Sequence, residues 1–106
     1  MRATPFVRVA EIEVDRAQRE AFISAVKEEM DEAVRLEPGV LAIYAVADKD
    51  DSSRLRFFEI YADEAAYNAH LESSLFRNYR VTTEPMVRSR TLTDTVPIQL
   101  SSKMNW

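Results

Sequence analysis

From Phe6 to Val14 the apolar residues alternate with a period of two, and from Ala17 to Val34 they return every three to five residues. That switch of period dictates a strand followed by a long amphipathic helix. In the strand, Val7 and Val9 lie on one side in phase with Glu11 and Glu13, while Ala10, Ile12 and Val14 lie on the other. Asp15, with Gln18 three residues later, has the pattern of a capping box, so the helix is expected to begin at Arg16. Its stripe is Ala17, Ala21, Phe22, Ala25, Val26, Met30, Ala33 and Val34, which leaves Glu28, Glu29, Asp31 and Glu32 largely outside. Glu37-Pro38-Gly39 ends the helix: proline disfavours helical backbone in the residue before it, and glycine is free to take the turn conformation.

Val40 to Ala47 is apolar on both faces apart from the Tyr44 hydroxyl, the pattern of a central strand covered on both sides. The polar cluster from Asp48 to Ser53 is a turn. Arg54 to Tyr61 is then a third strand, with Leu55, Phe57, Glu59 and Tyr61 on one face and Arg56, Phe58 and Ile60 on the other. Asp63 is expected to cap a short helix through Leu71, and Ser73 a second from Leu75 to about Thr83. Met86 to Val96 reads as a fourth strand. Strand, helix, strand, strand, helix, strand is an α+β order: the ferredoxin-like split βαβ plan, a four-stranded antiparallel sheet with its helices on one face. It forms one domain over residues 1–94, followed by a tail, residues 95–106. The other face of the sheet carries apolar residues on every strand, so a second copy of the chain is expected to cover it, giving a homodimer closed as an α/β barrel. Pro97, Ile98, Leu100, Met104 and Trp106 are too apolar for a free terminus, and the tail is expected to pack across the partner subunit.

Composition narrows the chemistry. One His, one Gly and no Cys exclude disulfides, thiolate metal sites and a cysteine nucleophile, and a phosphate-binding glycine loop cannot be written with one glycine. A net charge of −4 without a dense basic run argues against nucleic acid. The absence of an apolar run of roughly 20 residues, and of a signal-peptide core, argues against a membrane and for a cytoplasmic location. His70 is the one side chain whose ordinary pKa lies near neutrality. From spacing alone, a helix-terminal histidine bonded to a carbonyl outweighs a catalytic base, and no metal centre is expected around it. Glu59, between Phe57 and Tyr61 on its face, is expected either to be buried with a raised pKa or to pair with Arg54, Arg56, Arg88 or Arg90. Arg77, Arg80, Arg88 and Arg90 either bind an anion or, as the safer expectation, pair with the acidic helix. Aromatic residues around one Glu and one His would suit a planar, weakly acidic molecule such as a phenol or quinol.

Glu37-Pro38-Gly39, the run from Phe58 to Ala66 and the run from Ala69 to Phe76, in this order and spacing, resemble the antibiotic biosynthesis monooxygenase family over roughly residues 5 to 93. The resemblance implies dimeric α+β barrels, several of which oxygenate quinols or polyketide phenols without metal, flavin or haem. Glu59 matches the family's strand-end glutamate, Tyr61 a position usually held by tryptophan, and His70 the helix histidine. Leu75 stands before Phe76 where the family often has a second histidine. The function implied is a cofactor-independent monooxygenase acting with O2 on a small aromatic or quinol-type substrate inside the homodimeric barrel. His70, helped by Glu59, would be the base; Tyr44, Tyr61 and Asn68 would position the ring, and Phe57, Phe76 and Arg77 would complete the substrate site. Two alternatives stay open. One is an isomerase of a small phosphorylated carbonyl compound, as in a sister branch the chain also resembles, with the phosphate on Arg77 or Arg80. The other is a non-catalytic ligand-binding or dimerisation module in which His70 and Glu59 only hydrogen-bond to each other or to the backbone.

Overall fold

In the computed structural model, which describes residues 4–103, the chain runs β1 (Phe6–Val14), a 3-10 turn (Arg16–Gln18), α1 (Arg19–Leu36), β2 (Val40–Ala47) and β3 (Arg54–Tyr61). It continues through α2 (Glu64–Glu72), α3 (Ser74–Thr83), a second 3-10 turn (Glu84–Met86) and β4 (Val87–Asp94). The four strands form one antiparallel sheet in the order β2-β3-β1-β4, the split βαβ arrangement anticipated from the sequence. Alternation along the central strands β1 and β3 sends Ala10, Ile12, Val14, Leu55 and Phe57 to one face, where Phe22 and Val26 of α1 cover them. Tyr61 and Val40 meet Ala33 and Tyr67 in a second cluster under α2.

The structure departs from the sequence reading at several points, each for a local reason. The Asp15 carboxylate accepts from Ala17 N (3.1 Å) and its carbonyl from Gln18 N (2.9 Å), which closes a tight turn, so α1 begins at Arg19. β2 is an edge strand, because β3 folds back between it and β1; Tyr44 and Val46 are 40% and 63% exposed instead of being covered on both sides. Glu29 lies within the buried stripe of α1 (Phe22, Val26, Glu29, Ala33), while Val34 is exposed. β4 ends at Asp94, two residues before Val96. Thr95 Oγ1 donates to Val7 O (2.6 Å), and the tail then brings Leu100 onto the open face of its own sheet against Val7, Ala42 and Ile60. Val96 and Ile98 are exposed, and Met104 and Trp106 lie outside the described residues. Away from Leu100, the open face presents Tyr44, Val46 and Phe58.

Gly39 is required for a different reason from the one its turn position suggests. No described residue has a positive φ; instead, a Cβ on Gly39 would sit 2.5 Å from the Ala66 Cβ of α2. The missing side chain lets α2 pack directly on the turn, where Gly39 O accepts from Ala62 N (2.8 Å). Gly39→Ala is therefore expected to push α2 away and to cost about 1–3 kcal/mol in urea denaturation. A cost of only a few tenths would contradict this role.

Candidate active site

Between the helix-bearing face of the sheet and the three helices is a cavity of about 150 Å³. Ala10, Ile12 and Phe57 floor it, Val26, Met30, Leu71, Phe76 and Tyr79 wall it, and Arg8, Glu29, Glu59, His70, Arg80 and Arg90 bring charge to its lining. An engineered apolar cavity of about this size holds one benzene ring. The cavity is lined by one chain and lies on the opposite side of the sheet from the open face.

His70 is turned inward by the caps on either side of it. Asp63 Oδ1 accepts from Ala66 N (2.8 Å) to start α2, and Ser73 Oγ donates to His70 O (2.7 Å) while accepting from Phe76 N (3.1 Å) to start α3. The imidazole is 3% exposed and lies between two carboxylates. Nδ1 is 3.1 Å from both carboxylate oxygens of Glu37, and Nε2 is 3.2 Å from Glu29 Oε1. The Glu29 contact is an ion pair, longer than the two to Glu37. Burial works against the imidazolium, but Glu29 and Glu37 together outweigh it and raise the His70 pKa above its ordinary value. A carboxylate lies beside each nitrogen, an arrangement that favours the imidazolium. These carboxylates, rather than a backbone carbonyl, are its partners.

Glu59 and Tyr61 lie two residues apart on one face of β3, and the Tyr61 hydroxyl donates to Glu59 Oε1 (2.6 Å). None of the four arginines considered from the sequence reaches Glu59. Arg54 pairs with Asp51, Arg56 with Asp48 and Glu11, Arg88 with Asp15, and Arg90 with Glu84; among the described residues, no basic side chain after residue 76 pairs with α1. Burial pushes the Glu59 carboxyl above the usual carboxylate range, against the Tyr61 hydrogen bond and the positive charges of His70 and Arg8. The same burial raises the Tyr61 phenol far above its ordinary value and pushes Tyr79 up to about 12, so both stay neutral.

Of the residues expected from sequence, His70, Glu59, Phe57 and Phe76 line the cavity, and Tyr61 stands behind Glu59. Tyr44 does not join them: it pairs with Phe58 on the far face of the sheet. Asn68 and Arg77 are exposed, because a helical residue one or two positions from an inward-facing neighbour is rotated by roughly 100–200°. Arg8, Glu29 and Glu37 were missed. Arg8 is in phase with Ala10 and Ile12, and Glu29 completes the spacing of Phe22, Val26 and Ala33, so alternation and helical period carried a signal for both. Glu37 carried none beyond its place at the helix end. Among the described residues, no three His, Asp or Glu side chains are grouped to hold a metal ion, and no helix is long and apolar enough to cross a membrane.

Residues 5–81 match the family described as antibiotic biosynthesis monooxygenase. No curated protein matches the chain. Among solved structures, the chain is similar to a Bacteroides thetaiotaomicron protein provisionally described as an antibiotic biosynthesis monooxygenase. The two are 39% identical with a TM-score of 0.90, over 96% of this chain and 97% of that one. A Lactobacillus acidophilus protein, provisionally described as a monooxygenase, is 31% identical with a TM-score of 0.82, over 84% of this chain and 42% of that one. A Mycobacterium tuberculosis protein shares the fold at 22% identity, with a TM-score of 0.83 over 93% of this chain and all (100%) of that one.

The paired carboxylates make stability depend on pH. Because the folded His70 pKa is raised above the unfolded value of about 6.5, its contribution is fully present below about pH 6.5 and is lost as the pH rises through the folded value. NMR titration is expected to place the His70 midpoint above about 6.5 and to show it fall in Glu29→Gln. His70→Leu, which leaves Glu29 buried and unpaired, is expected to cost about 3–5 kcal/mol at neutral pH. An unshifted His70 midpoint would contradict the assignment of both carboxylates.

Proposed function

The chain belongs to the antibiotic biosynthesis monooxygenase family, and on that premise we propose that it oxidises a single-ring phenol or quinol with O2 inside the cavity, using no cofactor of its own. One observation carries this reading. A half-buried carboxyl of raised proton affinity, Glu59, borders an apolar space of one-ring size that His70, its own pKa raised, also lines.

Glu59 is the base. His70 has no free lone pair while it sits between Glu29 and Glu37, and its part is to place positive charge beside the cavity. A phenol is a weak acid, so a carboxylate of raised pKa accepts its proton less unfavourably than an ordinary one. Tyr61 fixes the orientation of the carboxylate and keeps its pKa from rising further. The substrate anion then passes one electron to O2, and the radical pair collapses to a carbon–oxygen bond. The proton held by Glu59 returns to the distal oxygen; as the O–O bond breaks, the ring carbon that gained oxygen loses its hydrogen as a proton to the departing hydroxide, which leaves as water. For a quinol the balance is quinol plus O2 giving hydroxyquinone plus water: one oxygen enters the ring, the other leaves as water, and the substrate supplies all four electrons. The apolar walls strengthen each electrostatic contact by excluding water. A phosphorylated substrate fits less well, since Arg77 is exposed away from the cavity and Arg80 is committed to Glu84 (2.8 Å). Tyr44, Val46 and Phe58 form the surface through which two copies pair.

Oxygen uptake by purified protein with a panel of single-ring quinols tests the activity. Glu59→Gln is expected to lower the rate by about 10²–10⁴-fold. Tyr61→Phe, which removes the group that lowers the Glu59 pKa, is expected to move the acid limb of the pH profile upward. No uptake above autoxidation across the panel sinks the reading. For the pairing, light scattering is expected to give twice the chain mass, and Phe58→Asp the mass of a single chain; an unchanged mass would sink the pairing alone.

A further inference from the structure

Arg8 carries a charge that the chain itself answers only in part. Its side chain lines the cavity, with the guanidinium carbon 4.5 Å from the centre of the Tyr67 ring and 5.4 Å from that of Phe6. Its one ion pair among the described residues, Nη2 to Asp94 Oδ1 at 2.9 Å, is with a carboxylate that is 88% exposed, where water screens the attraction. Nε is buried and has no acceptor among the described residues. Glu59, its cross-strand neighbour, is instead hydrogen-bonded to Tyr61, and the Tyr67 hydroxyl, its pKa raised by burial against the charge and hydrogen bond of Arg8, is a neutral partner. An arginine does not shed its proton to relieve burial, so a buried donor without an acceptor destabilises the empty site.

We propose that Arg8 anchors a carboxylate on the ligand, which makes the substrate class a single-ring hydroxyaryl carboxylate; this rests on the reading of the cavity as a phenol-oxidising site. The Nε edge of a guanidinium pairs Nε–H with one N–H of Nη2, which matches the two oxygens of one carboxylate; Nη2 has a second N–H for Asp94. The Tyr67 ring lies against the guanidinium, its centre 4.5 Å from the central carbon. The other two arginines of the cavity are less available, since both direct a nitrogen at Glu84 Oε2, at 2.8 and 3.4 Å. The cavity of about 150 Å³ has room for one ring, and Glu59, the cross-strand partner of Arg8, lines the same space.

Calorimetry without O2 on the full chain, with 4-hydroxybenzoate and its neutral isostere 4-hydroxybenzamide, tests this directly. The carboxylate is expected to bind about tenfold or more tightly than the amide, and the NMR signal of the Arg8 Nε–H to move with the carboxylate only. Arg8→Gln is expected to bind both equally, and Arg8→Lys, charged but without the fork, to keep only part of the preference. Equal binding by the wild type, no binding of either probe, an unmoved Nε–H signal or a preference retained in Arg8→Gln each overturns the proposal. If Arg8→Gln does not fold, the wild-type pair and the Nε–H signal decide alone. Binding is measured without turnover, so a failure of oxygen uptake counts against the catalytic reading and leaves this one standing.

Discussion

A histidine buried between two carboxylates ties the helical layer together. Glu29 comes from the body of α1, Glu37 from the turn that ends it, and His70 from the last turn of α2. Charge is expensive to bury and is tolerated only where its partners are held in place. The contacts therefore form only when α2 lies close against the turn after α1, and Gly39 permits that approach by having no Cβ to meet Ala66. Packing and electrostatics are here a single constraint: a side chain at residue 39 would move His70 away from both glutamates.

The rest of the site follows from that fixed charge. Glu59 faces the same space from the sheet, where burial raises its proton affinity, while the positive charges of His70 and Arg8 and the Tyr61 hydroxyl hold the rise in check. Two carboxylates in one cavity thus have separate surroundings. Glu29 is paired with His70, whereas Glu59 accepts a hydrogen bond from the neutral Tyr61 phenol. That difference arises from which element each residue stands on, since both are glutamates at apolar positions of an amphipathic pattern.

Much of the architecture was legible because period is a local property. The alternation of β1 and β3, the stripe of α1 and the caps at Asp63 and Ser73 gave the order of elements and hence the sheet. The burial of Glu59 could be read from Phe57 and Tyr61 on its own face. Tyr44 misled because a strand that is apolar on both sides looks central, whereas strand order is set by how the hairpin folds back. Asn68 and Arg77 misled because closeness in sequence to His70 and Phe76 is not closeness on a helix. Arg8 and Glu29 had the right phase, but a charged residue in an apolar stripe reads as an interruption until its partner is seen.

The sequence by itself determined the elements, their order and the identity of the only imidazole, because hydrophobic period, capping residues and composition act over a few residues or over none. Tertiary structure alone decided that the cavity lies on the helix side within one chain. It also decided that His70 is engaged by Glu29 and Glu37, and that Arg8 stands beside Glu59 with a donor unmet. Those facts depend on residues 33 and 51 positions apart being brought within a few ångströms. Proton affinity and charge pairing are set by such distances and by exclusion of water, and neither is written in any local stretch of the chain.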